Sequence, residues 1–147
     1  MAKRVGERNV PDTPSNAYLN TAVKAKELSL HTIRNCSNKN IFNPEYQEAL
    51  TNKIISTSVE IFLNIQRANK IRVKNEKTGI IIPERREARK EFQGKAAQQL
   101  SELEDLLSIA KALFHLRGKK VKYWKNMIFE TQNLLKHWRE SDRKRFE

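Results

Sequence analysis

The stretch FQGKAAQQLSELEDLLSIAKALF, residues 92–114, carries the most regular apolar pattern in the chain. Its apolar positions recur every three or four residues, at Phe92, Ala96, Leu100, Leu103, Leu107, Ala110 and Phe114. That spacing places all of them on one face of an α-helix, where they can pack against neighbouring helices. Pro83 and Glu84 suit the first turn of such a helix. We therefore predict helix three over residues 84–117, with first turns weakened by Gly94, which costs about 1 kcal/mol relative to alanine.

A second pattern begins after Gly118, a residue type that suits the left-handed position just past a helix C-terminus. Its seam residues again recur every three or four positions, at Val121, Trp124, Ile128, Thr131, Leu135 and Trp138. They predict helix four over residues 119–142, and the short connection makes helices three and four antiparallel neighbours. Because both tryptophans lie on this seam, core packing is favoured over base stacking. Tyr123, Met127 and Leu134 lie off the seam, where they could widen the core or face another subunit.

Helix two is predicted over residues 44–70. Asn43, Pro44 and Glu45 supply in order a capping side chain, a first-turn proline and a first-turn acid. The apolar residues that follow form one stripe and a second row beside it: Leu50, Ile54, Ile61, Ile65 and Ala68, then Ile55, Val59 and Phe62. A face this wide can contact more than one neighbour. Residues 71–83 contain two β-branched triplets around a polar turn and predict a loop or a very short hairpin.

Helix one is predicted over residues 15–35. Its apolar residues are compatible with one side of a helix: Leu19, Ala22, Val23, Leu30 and Ile33. Residues 1–14 are expected to form a flexible tail. Four helices with one long and one short connection among them predict an all-α fold, an antiparallel up-down-up-down four-helix bundle over residues 15–145.

The composition agrees with one helical domain. The chain has 147 residues, 38% of them hydrophobic and 31% charged, with only four glycines and four prolines. The single cysteine, Cys36, cannot form an internal disulfide, which favours a cytosolic protein. The sequence contains no apolar run of about 18 residues and no apolar signal core, so we expect neither membrane association nor secretion.

Basic residues outnumber acidic ones by 29 to 17, and the net charge of +12 makes nucleic acid the first partner to consider. Much of the excess lies near the C-terminal end. The candidate contacts for nucleic acid or a polymerase are Lys119, Lys120, Lys122, Lys125, Lys136, Arg139, Arg143, Lys144 and Arg145. The first four lie in the first turns of helix four, where the helix dipole disfavours cations, so contact with phosphates or with an acidic partner is favoured over a merely solvated face. The later ones also suit an ordinary helix C-terminus.

Catalytic and metal-binding patterns are missing from the sequence. The three histidines are His31, His115 and His137, and only Glu27 with His31 has the spacing that could share a metal on one helix. The Glu-x-x-His motif of di-iron bundles and the glycine-rich phosphate loop are both absent. We predict no catalytic residue, no metal and no cofactor. An all-helical ribonuclease of the HEPN class is the least favoured reading, because no arginine has a histidine four to six residues later.

Several segments resemble a known family. They are SLHTIRNCSNKNIFN, YQEALTNKIISTSVEIFLNIQRAN, LLSIAKALFHLRGKKVKYW and LLKHWRESDRKR. The most specific matches are Tyr123 with Trp124, the Trp-x-x-Ser-Asp pattern that starts at Trp138, and Ala68 with Asn69. Over about residues 17–145 the chain resembles the accessory variability determinant (Avd) proteins of diversity-generating retroelements.

This resemblance implies a function. Avd proteins are basic four-helix bundles that form a homopentameric barrel and bind the retroelement's reverse transcriptase. They are needed for mutagenic retrohoming, in which template RNA is copied into adenine-mutated cDNA, and they are not enzymes. The resemblance thus implies a bacterial or phage-encoded cytoplasmic protein whose partners are a reverse transcriptase, RNA and DNA. A subunit interface would bury the wide face of helix two and the off-seam residues of helix four, although packing within a monomer would do so too.

An alternative resemblance leads to a different partner. Proteins encoded in intervening sequences of large-subunit ribosomal RNA are also basic four-helix bundles. A relative of those proteins would bind RNA without any polymerase. A reverse transcriptase gene next to this one would favour the retroelement reading.

Overall fold

The computed structural model describes residues 16–147, and within that range the fold is all-helical. Its four α-helices are α1 (Asn16–Cys36), α2 (Asn52–Lys70), α3 (Pro83–Phe114) and α4 (Gly118–Phe146). The main helix contacts are α1 with α2, α2 with α3, α3 with α4 and α4 with α1, as in a helical bundle. The expected tail over residues 1–14 lies outside the described residues. Within residues 16–147, no helix has both the length and the apolar character of a membrane span.

The predicted seams of helices two, three and four form the core. On α4 all six seam residues are buried, and Trp124 and Trp138 are fully enclosed. On α3 the buried run extends from Ala96 to Ala110, while Phe92 and Phe114 are half-buried against it. The residues of the main stripe of helix two are all buried as well. Burial of these apolar side chains supplies the main driving force for folding.

The predicted apolar face of helix one is wrong at four of its five residues, and only Ala22 is buried as predicted. Leu19 (45%), Val23 (57%), Leu30 (39%) and Ile33 (37%) are exposed. The buried face of α1 is made instead of Tyr18, Thr21, Ala22, Ala25, Leu28, Ser29, Thr32 and Cys36. Most of these side chains are small, and they let α1 lie close to its neighbours. Two of the buried hydroxyls have partners there: that of Thr21 donates to the Ala17 carbonyl, and that of Thr32 accepts from the indole of Trp124.

The entry to helix two is irregular. The Asn43 side chain accepts a 2.9 Å hydrogen bond from the Glu45 amide, which is the predicted cap. The residues that follow form a 3-10 turn, Pro44–Tyr46, and a π turn, Gln47–Thr51, so α-helical geometry begins only at Asn52. These turns already bring Leu50 into the core.

The junction between helices three and four corrects the predicted boundary. Helix α3 ends at Phe114 and not at residue 117, and Gly118 is the first residue of α4. The left-handed position is taken by His115, with φ 54°. Leu116 is buried, and its amide donates to the Lys111 carbonyl at 3.2 Å, so the chain reverses at His115, three residues before Gly118.

Residues 71–83 contain a very short hairpin. Lys74 and Ile81 form a single antiparallel bridge, and the Asn75 amide donates to the Ile80 carbonyl at 2.9 Å. Gly79 has φ +71°, a conformation that glycine adopts without strain. This segment brings α3 back alongside α2.

A buried ion pair joins α3 to α4. Arg89 donates from Nε to Oδ2 of Asp142 at 2.6 Å and from Nη2 to Oδ1 at 3.0 Å, and Gln93 donates to the same carboxylate at 2.9 Å. The guanidinium lies over the rings of Trp138 and Phe146, at 5.3 and 5.5 Å from their centroids. Helix α4 therefore extends past the predicted end at residue 142, because Phe146 is buried in this cluster.

Candidate nucleic-acid interface

A hollow of about 800 Å³ lies where the α1–α2 connection meets the junction of α3 and α4. We call it the end hollow. Its lining residues are Asn40, Ile41, Phe114, His115, Leu116, Arg117, Lys119, Lys120 and Tyr123. The cations come from the turn that follows α3 and from the first turn of α4. The backbone reversal at His115 therefore sets where these cations lie.

The cations of the end hollow have no acidic partner among the described residues. Within residues 16–147, Arg117, Lys119 and Lys120 make no ion pair with a carboxylate. The first turn of α4 contains no acid, and Arg117 at its N-cap makes no side-chain capping bond. The partial positive charge of the helix N-terminus thus adds to that of the side chains. An anion would be attracted by both.

Neighbouring titratable groups respond to this positive charge. Burial lowers the pKa of His31, and the charges of Lys120 and Arg34 lower it further. Burial raises the pKa of the Cys36 thiol to about 12, although Lys39 and Lys120 oppose the rise. Nε2 of His31 lies 2.8 Å from the side-chain Nδ2 of Asn35, which can donate to a neutral ring. The field of Lys120 therefore reaches the last turns of α1.

Tyr123 gives the end hollow an exposed aromatic ring. Its side chain is 61% exposed, and its ring packs edge-on against His31 at 5.2 Å between centroids. An exposed ring beside cations is the combination that binds single-stranded nucleic acid, because bases stack on the ring while cations hold the phosphates. Sequence reasoning left Tyr123 without this role. The available signal was its position off the predicted seam, about 100° around the helix from the seam residue Trp124.

Only two of the four lysines in the first turns of helix four line the end hollow. These are Lys119 and Lys120. Lys125 is half-buried and its Nζ lies 3.3 Å from the Ser108 hydroxyl of α3, while Lys122 is exposed away from the hollow. The sequence grouped the four by position along the chain, but successive helical residues point about 100° apart.

The later candidates lie elsewhere. Lys136, Arg139 and Arg143 line a second depression, a groove of about 640 Å³ between α3 and α4. Lys144 is exposed and lines neither depression, and Arg145 lies over the Phe146 ring at 4.7 Å. Of the nine candidate residues, two therefore line the end hollow and three line the second depression. The other four line neither.

The histidines do not converge on one site. His115 lines the end hollow, His137 is exposed on α4, and His31 is half-buried in α1. Glu27, the possible metal partner of His31, pairs with Lys24 at 3.2 Å. Among the residues that the structure describes, no three His, Cys, Asp or Glu side chains are grouped as a metal site requires.

Comparisons with known proteins add no relative. No protein-family model, curated protein or solved structure matches the chain.

Proposed function

We propose that this chain is a non-enzymatic accessory protein of a diversity-generating retroelement, which binds the reverse transcriptase together with template RNA and its cDNA. The observation that carries the nucleic-acid part is the end hollow, where Lys119, Lys120 and Arg117 lie beside the exposed ring of Tyr123. Lysine contacts to phosphates release condensed counterions, and the ring offers a stacking surface that tolerates any base. Neither interaction requires catalysis.

The arrangement of the helices supports the bundle architecture that this proposal includes. Tyr18, near the start of α1, donates to Gln66 near the end of α2 at 2.6 Å. Trp124, near the start of α4, donates to Thr32 near the end of α1 at 3.1 Å. We infer from such pairs, in which the start of one helix lies beside the end of another, an antiparallel up-down-up-down bundle.

Self-association is also part of the proposal. The exposed residues Leu19, Val23, Leu30 and Ile33 form an apolar row on α1 that an interface between copies of the chain would bury. From the resemblance to Avd proteins, we propose that five copies form a ring. From the same resemblance, we propose that the protein acts in the bacterial cytoplasm and is encoded by the cell or by a phage.

The second candidate is an RNA-binding bundle that resembles the proteins encoded in ribosomal RNA intervening sequences. The same end hollow favours it, because binding a single strand there needs no polymerase. The two candidates differ in their protein partner. Co-expression of the tagged chain with a reverse transcriptase encoded beside its gene should yield a complex under the first and none under the second.

The nucleic-acid role is tested by replacing Lys119 and Lys120 with glutamine. We expect weaker binding of a fluorescein-labelled single-stranded RNA, measured by anisotropy across a range of salt concentrations. Since each phosphate contact contributes about −0.7 to the salt slope of single-strand binding, the slope should become shallower by about 1.4. Tyr123→Ala should weaken binding about tenfold with little change in slope.

The matched control replaces Lys122 and Lys144, which are exposed and lie outside the end hollow. Lys122→Gln with Lys144→Gln removes the same charge. If both double variants weaken RNA binding equally, the interaction reflects net charge and not the end hollow. Unchanged affinity in the Lys119→Gln, Lys120→Gln variant would also contradict the assignment.

A further inference from the structure

The groove between α3 and α4 is a second surface whose chemistry differs from that of the end hollow. Its lining residues are Lys90, Gln93, Ala97, Leu100, Gln132, Leu135, Lys136, Arg139, Glu140, Arg143 and Glu147. On α3 it extends over residues 90–100 and on α4 over residues 132–147, which correspond to about 15 and 22 Å of helix. An elongated ligand of three to four helical turns matches this length.

The floor of this groove is apolar and shallowly packed. Ala97 and the aliphatic stems of the longer side chains supply its accessible apolar surface, and the fully buried Leu100 and Leu135 lie beneath them. Gly94 lies on the same stretch of α3, where an added Cβ would stand 3.9 Å from Nη2 of Arg139. Helix α3 contacts α4 less extensively than it contacts α2, and the groove lies along this looser contact.

The charges along the groove are only partly compensated. Lys90 pairs with Glu147, and Arg143 lies 3.7 Å from Glu140. Lys136 and Arg139, spaced i, i+3 on one face of α4, have no carboxylate partner within residues 16–147. The groove thus presents two unpaired cations above an apolar floor.

This combination fits a protein ligand better than a nucleic acid. The described lining residues include no aromatic ring on which a base could stack. An apolar floor requires apolar side chains, which a nucleic-acid backbone does not supply. A helix laid between two helices does supply them, at positions i, i+3, i+4 and i+7.

We propose that the α3–α4 groove binds an acidic amphipathic helix of a partner protein, with apolar side chains on Ala97 and the floor and carboxylates on Lys136 and Arg139. The guanidinium of Arg139 can bind a carboxylate through two parallel hydrogen bonds. This site is separate from the end hollow, so the docking proposal can be tested independently of nucleic-acid binding there. Under the proposed function it is where a protein partner docks.

The test uses the full chain and a fluorescein-labelled peptide of about 15 residues. The peptide carries leucine at i, i+3, i+4 and i+7 and glutamate on both sides of that stripe. We expect saturable binding by anisotropy, weakened by salt, and no binding of a counterpart with lysine in place of each glutamate. Failure of the acidic peptide to bind would overturn the proposal.

Two variants localise the binding. Lys136→Glu with Arg139→Glu should weaken the peptide at least about tenfold, whereas Lys122→Glu with Lys144→Glu, which changes the net charge equally, should not. Ala97→Leu fills the floor without changing charge and should weaken the peptide while leaving single-stranded RNA binding unchanged. Circular dichroism and thermal unfolding verify that each variant is folded.

Three outcomes contradict the proposal. Equal weakening by both charge variants would show attraction to net charge alone. An unaffected Ala97→Leu variant would show that the floor is not used. Displacement of the peptide by RNA, together with weaker RNA binding in the Lys136→Glu, Arg139→Glu variant, would assign the groove to nucleic acid.

Discussion

Arg89 illustrates how one charged residue can be part of a helical core. Its Nη1 lies 3.4 Å from the Ala68 carbonyl and 3.3 Å from that of Ile71, at the end of α2 where backbone carbonyls lack helical partners. The same guanidinium holds Asp142 of α4 bidentately. Both side chains are 8% exposed, so the loss of hydration is offset only because nearly every polar atom has a partner.

Arg89→Met should therefore be strongly destabilising. It leaves the Asp142 carboxylate buried without its cation, and we expect the free energy of unfolding to fall by about 3–5 kcal/mol in urea titrations. The double variant Arg89→Met with Asp142→Leu should recover most of this loss, because no unpaired charge remains buried. Lys95→Met, at an exposed cation of the same helix, is the control and should change little. A loss below about 1 kcal/mol for the single variant would contradict this account.

His31 should make stability depend on pH. Its pKa in the folded chain lies below the ordinary value of 6.5, mainly because of burial. As pH falls below that value, the unfolded chain binds a proton that the folded chain does not, so the free energy of unfolding decreases. His31→Gln should flatten urea stability between pH 7 and 5 relative to the wild type, whereas His137→Gln, at an exposed residue, should not. An unchanged slope in the His31→Gln variant would exclude this contribution.

At the scale of the helix, the sequence predicted α2, α3 and α4 because their core residues are large and periodic. It failed for α1, whose core face is built from alanine, serine and threonine, residues that do not stand out in an apolar pattern. Arg89 was missed for a related reason, since a charge on an apolar stripe looks like an interruption until its partner 53 residues away is known. The helix dipole selected Lys119 and Lys120 only as members of a group of four lysines, two of which lie outside the end hollow. Their grouping with Tyr123 depended on tertiary packing.

The junction between the end of α3 and the start of α4 offers a direct test of the corrected boundary. Replacing His115, which is left-handed, with glycine should stabilise the chain by about 1 kcal/mol in thermal unfolding. Gly118→Ala should be tolerated, because Gly118 is helical and an added Cβ meets nothing within 4 Å. If Gly118 were the left-handed residue, as the sequence predicted, its replacement by alanine would be destabilising instead.

On the scale of the whole molecule, the end hollow, the α3–α4 groove and the apolar row on α1 are lined by different residues. A row of four exposed aliphatic side chains is unusual for a helix that stays in water. The chain thus has room for nucleic acid, a protein partner and copies of itself at once.

Val23→Glu should disrupt self-association. Val23 is 57% exposed, so the substitution should leave the fold intact while placing a charge in an apolar interface. We expect sedimentation velocity and native mass spectrometry to show a shift from oligomer to smaller species. Asn20→Glu adds the same charge at an exposed residue of α1 outside the row and should leave the oligomer unchanged. A wild-type chain that is monomeric at working concentration would contradict the proposed assembly.

Helix α4 extends without a break from Gly118 to Phe146, and its interior contains neither glycine nor proline. Lys119 in the end hollow and Arg139 in the groove are 20 residues apart on it, a separation of about 30 Å along the axis. The continuous helix therefore fixes the distance between the end hollow and the groove. A strand held at one end and a protein docked at the other would keep a fixed spacing, so lengthening α4 by whole turns should move the place at which the partner meets the strand.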